Sequence, residues 1–130
     1  MGKIPQREIY RLLADMKGSV GLYINLLDTD EVFEINPEQV YPSASVIKIP
    51  MLALLLKDVH EGRVDWRAPH SIAPENMVGG TGILFELDGG YQPTVETLAK
   101  LMIVLSDNSA TNEIMDIIGM ERVNQFCQEL

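Results

Sequence analysis

Four polar side chains, at two places in this sequence, have the types and the spacing of a site that transfers acyl groups. Ser45 and Lys48 lie one helical turn apart, and Ser106 and Asn108 flank Asp107 further along the chain. A lysine in apolar surroundings has a depressed pKa, and a neutral amine beside a serine can accept the hydroxyl proton and make the oxygen nucleophilic. A second serine can pass the proton on, and an asparagine can hold a substrate amide. The pattern therefore predicts acyl transfer with Ser45 as the nucleophile.

The same residues also have a purely structural interpretation. A serine is a common helix N-cap, and a lysine can lay its stem on apolar surface while its amine stays in water. Residues 106–108 can equally be a break that caps the following helix, in which Asp107 braces the turn. Ser-x-x-Lys is a loose pattern. Both interpretations stay open on these residues alone.

The elements that must position these side chains are predicted to be helices. A helix begins around Ser45 and ends at Glu61-Gly62-Arg63, and its interior, residues 51–56, is apolar all round. This predicts a central core helix, with a kink or a tight first turn at Pro50. Residues 65–92 are rich in glycine and proline and predict a long connection with short helices or a functional role.

Two further helical regions follow this connection, and a short last helix ends the chain. Thr94 is the predicted N-cap of the first, whose inward-facing residues are predicted to be Val95, Leu98, Leu101, Met102 and Leu105. Residues 109–112 are predicted to cap the next helix, which runs to Gly119. The last helix is predicted to start near Glu121.

The beginning of the chain predicts one helix and two strands. The helix carries an apolar face made of Ile4, Ile9, Leu12, Leu13 and Met16, and Gly18 ends it. Residues 20–27 are almost continuously apolar and predict a strand covered on both faces, and residues 31–35 predict the returning strand. The order predicts an α+β fold. Since two strands alone are marginally stable, the sheet is expected to need strands that the sequence does not supply.

Composition and charge exclude several classes of partner. Of the 130 residues, 46% are hydrophobic and 22% are charged, and the net charge is −9. Such an acidic chain cannot neutralise a row of phosphates, so no nucleic-acid partner is expected. The apolar run from Val46 to Leu56 is too short to span a bilayer, so no membrane span is expected. The first residues do not form a signal peptide. The balance favours a soluble chain with a small-molecule substrate.

Metal and thiol chemistry are not expected. Cys127 is the single cysteine, and its setting favours a small half-buried hydrophobic residue over a reactive thiol. His60 and His70 have no partner at ligand spacing and are expected to be surface or loop residues. We therefore predict no metal and no cofactor.

Taken together, the motifs resemble those of a known family. Ser45-Val46-Ile47-Lys48 followed by Ser106-Asp107-Asn108 resembles the class A serine β-lactamases and the related penicillin-binding proteins, whose signatures include these two and a third, Lys-Thr-Gly. Residues 41–45, 80–84 and 106–112 are similar to the same family in order and spacing. The resemblance covers essentially the whole chain.

This resemblance implies a role for each site residue. It implies that Ser45 is the acylated nucleophile and that Lys48 is the general base or proton relay. Ser106 matches the hydroxyl that passes a proton to the leaving nitrogen, and Asn108 matches the side chain that grips the acylamide of the substrate. Asn112 matches the asparagine that supports the loop bearing the deacylating glutamate. The implied reaction is attack on a β-lactam carbonyl, followed by hydrolysis of the acyl-enzyme.

Two features of the family are absent from this sequence. It contains no Lys-Thr-Gly or Lys-Ser-Gly, and Glu129 is in the wrong context to replace the deacylating glutamate. We therefore expect residues 1–130 to form a single partial domain of the β-lactamase/transpeptidase-like fold: the helical subdomain and the first two antiparallel strands, with the remainder of the sheet missing.

The expected function follows from this partial match. The resemblance implies a class A-like serine β-lactamase in the full-length protein, secreted or periplasmic, and we expect the chain alone to be impaired or inactive. The alternatives are a cell-wall peptidase-type serine hydrolase acting on peptidoglycan-like peptides, and a non-catalytic fragment. We also expect the exposed sheet edge to allow a homo-oligomer or strand exchange between copies.

Overall fold

The computed structural model describes residues 2–87 and 90–129, which form five α-helices and a two-stranded sheet. One helix and the two strands come first, and four helices follow. The predicted α+β class is confirmed. The chain divides into two compact units, residues 1–42 and residues 43–130. The single domain expected over residues 1–130 stays a prediction.

The first unit contains helix α1 (Gln6–Leu13) and strands β1 (Leu22–Leu26) and β2 (Glu31–Ile35). The strands are antiparallel, with Leu22 opposite Ile35 and Ile24 opposite Phe33. The bounds of β2 are those predicted. Phe33 is buried, and the ring of Tyr10 on α1 packs edge-on against it, with 5.5 Å between the ring centroids.

Two predictions for the first unit are wrong. Leu12 and Met16 of the expected buried face are largely exposed, and Met16 lies beyond the end of α1. Side chains of β1 alternate between half-buried and exposed, so this strand is not covered on both faces. The alternation is what a pleated strand gives when only one of its faces is packed.

In the second unit, a 3₁₀ turn over Ala44–Ile47 leads directly into helix α2 (Lys48–His60). The helical region therefore begins with a tight turn, but this turn lies before Pro50, the position at which a kink or tight first turn was predicted. Pro50 is the third residue of α2, where a backbone N–H has no partner within the helix, so proline costs little there. Helix α2 contributes to the apolar core, as predicted for a central core helix. It is not buried on every side, because Ile49 and Leu56 are exposed. Gly62 has φ +72° and lies just past the helix end, as expected.

The connection after α2 contains short 3₁₀ helices at Pro74–Asn76 and Leu84–Glu86, as predicted for its length. Helix α3 (Val95–Val104) follows, and Thr94 is its N-cap, with the side chain accepting a hydrogen bond from the Thr97 N–H. Leu105 is exposed rather than inward-facing.

Helices α4 (Asn108–Ile118) and α5 (Met120–Glu129) complete the second unit. The N-cap of α4 is Asp107, so the prediction that residues 109–112 cap this helix is wrong. The side chains of α2 to α5 and of the connection form one apolar core: Met51, Leu54, Leu55, Leu84, Val95, Leu98, Ala99, Met102, Ala110, Ile114, Ile118 and Val123.

A buried carboxylate joins α2 to α5. The side chain of Asp58 on α2 is fully buried and lies between two arginines. Arg122 on α5 donates to both of its oxygens at 2.6 Å, and Arg63 donates from Nε at 2.7 Å. The Arg122 and Arg63 guanidinium groups hold the pKa of Asp58 below its usual range.

Two surface features complete the description. Cys127 is exposed, so its predicted half-burial is wrong; the last helix presents it to solvent instead of to the core. Within the described part of the chain, no helix is both long and apolar enough to cross a membrane.

Candidate active site

Ser106 links the two sides of the predicted site. Its Oγ lies 2.8 Å from Ser45 Oγ and 2.8 Å from Lys48 Nζ. Lys48 Nζ also donates to the Ser106 carbonyl oxygen at 2.8 Å. The sequence led us to expect Lys48 to act directly on Ser45, three residues before it. Among the hydrogen bonds of the described residues, the two are joined through Ser106.

The amine of Lys48 is held inside the protein. Lys48 is 6% exposed, so the interpretation in which its amine stays in water is wrong. Burial lowers the pKa of Lys48 and the negative charge of Asp107 opposes this, with burial the stronger effect. The predicted depression is confirmed, and it favours the neutral amine that proton acceptance requires.

Asp107 braces the turn that carries Ser106, as the structural interpretation predicted. It is 1% exposed. Its Oδ2 accepts from the N–H groups of Ile83 at 2.7 Å and Leu84 at 2.8 Å, and its Oδ1 accepts from the Ala110 N–H at 2.9 Å. One carboxylate therefore caps α4 and fixes the connection to the start of that helix.

The segment 79–84 lies along this turn. The backbone N–H of Asn108 donates to the Thr81 carbonyl at 3.0 Å, and Asn108 Nδ2 donates to the Gly79 carbonyl at 3.3 Å. The hydroxyl of Thr81 donates to the Ser106 carbonyl at 2.7 Å. These bonds fix both the backbone and the side chain of Asn108 beside Ser106.

Ser106 and the residue directly before Ser45 have unusual, left-handed backbone conformations. Ser106 has φ +53°, and Ala44, directly before Ser45, has φ +45°. Such left-handed conformations of residues other than glycine cost about 1–3 kcal/mol each and persist only where surrounding contacts impose them. Here the hydrogen bonds around Ser106 are contacts of this kind.

Asn112 lies one turn after Asn108 on α4. Its Nδ2 reaches the carbonyl of Asn76 at 3.5 Å, and Asn76 in turn donates to Asp116 Oδ2 at 2.6 Å. Asn112 therefore faces the connection that follows α2. It is not among the groups that contact Ser45.

The sequence interpretation missed a buried acidic residue on α4. Glu113 is 2% exposed, and its carboxylate accepts from the Ala73 N–H at 2.7 Å and contacts His70 Nε2 at 2.6 Å. The signal was available, because Glu113 lies at an inward position of an amphipathic helix. No three His, Cys, Asp or Glu residues form a metal-binding group within residues 2–87 and 90–129.

Comparisons with known proteins identify the family and the fold of the chain. A family model described as the β-lactamase enzyme family matches residues 4–130. β-Lactamase CARB-4 of Pseudomonas aeruginosa is 25% identical over 118 residues, which cover 90% of this chain and 41% of that protein. The β-lactamase regulatory protein BlaB of Streptomyces cacaoi is 29% identical over 105 residues, covering 79% of this chain and 33% of that protein.

The solved structure of PBP-A is similar over nearly the whole chain. Its TM-score is 0.87 at 35% identity, covering 95% of this chain and 48% of that one. A mutant of PBP-A, solved as an acyl-enzyme complex with penicillin G, gives the same values. The chain thus spans less than half the length of these relatives. The predicted β-lactamase-like fold is confirmed.

Proposed function

Because the chain belongs to the β-lactamase enzyme family, we propose that its site is a serine acylation centre in which β-lactams acylate Ser45. The carrying observation is the continuous series of 2.8 Å hydrogen bonds from Ser45 Oγ through Ser106 Oγ to Lys48 Nζ. The penicillin G acyl-enzyme of the PBP-A mutant supports β-lactams as the substrate class.

The hydrogen bonds define a path for the proton of Ser45. Lys48 Nζ donates to the Ser106 carbonyl and lies 2.8 Å from Ser106 Oγ. Once the amine is neutral, its lone pair can accept the Ser106 hydroxyl proton across this second contact. Ser106 Oγ then accepts the proton of Ser45. As Ser45 Oγ bonds to the β-lactam carbonyl carbon, its proton passes to Ser106 and the Ser106 proton passes to Lys48, which becomes an ammonium.

The second half of acylation reverses this path. The carbon–nitrogen bond of the lactam breaks, and its nitrogen takes the proton of Ser106, which Lys48 replaces. The product is an ester on Ser45, a neutral Lys48 and a neutral amine whose nitrogen carries the proton that left Ser45, so no proton is gained or lost. Water then hydrolyses the ester and restores Ser45. General acid–base catalysis of this kind contributes about 10²–10⁴ in rate.

Substrate binding is assigned to Asn108 and loop support to Asn112. Asn108 is held by its backbone N–H and by Nδ2, which leaves Oδ1 to accept an amide N–H from the acylamide of a substrate. Asn112 donates to the Asn76 carbonyl of the connection after α2. We propose that Asn112 also supports the glutamate-bearing loop that the family has further along the chain.

We propose that residues 1–130 by themselves turn β-lactams over slowly. The resemblance assigns a second oxyanion N–H donor and the deacylating glutamate to motifs that do not occur in this sequence. The loss of one oxyanion donor alone costs about 10²–10³ in rate. Acylation without rapid deacylation is the expected behaviour.

A cell-wall peptidase-type hydrolase is the second candidate. The identity to PBP-A is 35%, against 25% for β-lactamase CARB-4. The acylation chemistry is the same in both cases, and deacylation separates them. For either substrate class, we propose a secreted or periplasmic location.

The test is a covalent adduct. The chain is incubated with penicillin G and its intact mass is followed over time, beside Ser45→Ala and the neighbouring exposed control Ser43→Ala. We expect an adduct with the wild type and with Ser43→Ala, and none with Ser45→Ala. An adduct on Ser45→Ala, or neither adduct nor turnover with the wild type, rejects the proposal. Rapid turnover by the wild type rejects the expected slow deacylation.

A further inference from the structure

The carbonyl oxygen of Ser106 accepts two side-chain hydrogen bonds. Lys48 Nζ donates to it at 2.8 Å and Thr81 Oγ1 donates at 2.7 Å. Thr81 lies 25 residues earlier in the chain than Ser106 and is exposed. The contact with Lys48 orients the amine of the base, and the contact with Thr81 comes from outside the three residues of the proton path.

We propose that Thr81 is a positioning residue of the Ser45 site: its hydroxyl holds the Ser106 carbonyl where that carbonyl orients the Lys48 amine. This inference rests on the proposed acylation of Ser45. Among the hydrogen bonds of the described residues, Thr81 Oγ1 binds the Ser106 carbonyl and not Ser45, so it acts through the Ser106 backbone.

The backbone of Ser106 explains why such a hold is needed. With φ +53°, Ser106 is in a conformation that its own side chain disfavours. Rotation of this residue towards a common conformation would turn both its carbonyl and its hydroxyl away from Lys48. The Thr81 hydroxyl opposes the rotation at the carbonyl oxygen itself.

The segment around Thr81 is shaped for this contact. A Cβ at Gly80 would lie 2.8 Å from Asn108 Nδ2, and a Cβ at Gly82 would overlap the carboxylate and the backbone of Asp107. Both glycines also have positive φ values, +110° and +106°. Side chains at either position would push the segment outward, so the two glycines allow Thr81 to come within hydrogen-bonding distance of Ser106.

The contact can be removed with little change in shape. Thr81→Val replaces the hydroxyl by a methyl group, and Thr81→Ser keeps the hydroxyl. Thr111→Val is the matched control, because the Thr111 hydroxyl donates at 2.6 Å to the carbonyl of Asp107, the residue directly after Ser106. That bond supports the same turn without touching the carbonyl that contacts Lys48.

The first measurement is the rate of penicillin G adduct formation by intact mass at saturating and at low penicillin. A net hydrogen bond is worth about 1 kcal/mol, or roughly fivefold in rate. We expect Thr81→Val to slow the acylation step by about this factor or more, with Thr81→Ser and Thr111→Val close to the wild type. Wild-type acylation in Thr81→Val, or equal slowing in Thr111→Val, overturns the proposal.

The second measurement does not need activity. The pH titration of Lys48 is followed by the NMR signal of its ¹³C-labelled Cε, assigned with Lys48→Gln. Asp107 is the charged side chain that acts on this amine, and it is intact in all the variants. If Thr81 positions the carbonyl, the Lys48 ammonium loses a hydrogen-bond acceptor in Thr81→Val, and the titration midpoint of Lys48 falls. In Thr81→Ser and Thr111→Val, Lys48 should titrate as it does in the wild type.

The two measurements separate the two proposals. If the wild type forms no adduct, the acylation proposal fails and the titration alone decides the role of Thr81. A midpoint that is unchanged in Thr81→Val overturns the positioning role. A midpoint that rises also overturns it, because Thr81 would then compete with Lys48 for the carbonyl.

Discussion

Replacement of Asp107 by asparagine tests the turn on which the whole site depends. The carboxylate accepts from the backbone N–H groups of Ile83, Leu84 and Ala110 and is 1% exposed. An asparagine can offer one oxygen to Ile83 and Leu84, and its NH₂ group must then face the Ala110 N–H. The variant therefore leaves one buried donor unsatisfied and weakens two charge-assisted hydrogen bonds.

The magnitude follows from these three contacts. An unsatisfied buried N–H costs about 1–3 kcal/mol, and a bond to a charged group exceeds a neutral one by about 1 kcal/mol. We expect Asp107→Asn to lower the free energy of unfolding by about 3 kcal/mol and the melting temperature by about 10 °C. Asp116→Asn is the control, because Asp116 is exposed on the same helix and an asparagine keeps an acceptor for Asn76.

Urea unfolding is the assay, with the fluorescence of Trp66, the single tryptophan, as the probe. The control should change the free energy of unfolding by about 0.5 kcal/mol or less. A loss below about 1 kcal/mol for Asp107→Asn, at an unchanged denaturant dependence, would refute the reasoning, since one unsatisfied donor alone exceeds it. The same variant removes the charge that raises the pKa of Lys48, so acylation should rise with pH at lower values than in the wild type.

Two further predictions concern charged side chains. Asp58→Asn should lower the free energy of unfolding by about 2 kcal/mol at neutral pH, because the buried charge that Arg122 and Arg63 bind is lost. Since the folded-state pKa of Asp58 is depressed, the stability that its charge contributes is complete above the unfolded-state pKa of about 3.9 and is lost as the pH falls further. If the free energies of unfolding of variant and wild type still differ in acid, this reasoning is wrong. Lys48→Gln should slow acylation by about 10²–10⁴ and remove its rise with pH, and a rise that survives in the variant means that Lys48 is not the base.

Local signals in the sequence predicted helix ends well where a single residue determines where the helix begins or ends. Thr94 was predicted to cap α3 and does so with its side chain, and Gly62 follows the end of α2 with positive φ. The cap of α4 was misplaced because several capping residues occur in succession from Ser106 to Asn112. Asp107 prevails since it also satisfies donors of the distant segment 83–84, which no local pattern contains.

The sequence predicted the residue types of the site, but not the hydrogen bonds that join them. The depressed pKa of Lys48 followed from one cation in an apolar run. The position of Ser106 between Ser45 and Lys48 could not be predicted, because it depends on a contact across 61 residues and on a left-handed backbone at a serine. The exposed side of α2 could not be predicted for a related reason. The composition of α2 does not tell which of its sides the other helices cover, and Ile49 is left exposed.

At Ala44 and Ser106, the left-handed backbones bring thermal stability and acylation into conflict. Glycine would relieve the conformational cost at both positions, so a screen for heat resistance alone should accept glycine there. At Ser106, the same exchange deletes the hydroxyl between nucleophile and base. At Ala44, it loosens the chain immediately before Ser45. Variants that survive heating best are therefore expected to be poor acyl acceptors, and only a screen that counts acylated molecules should retain the residues found here.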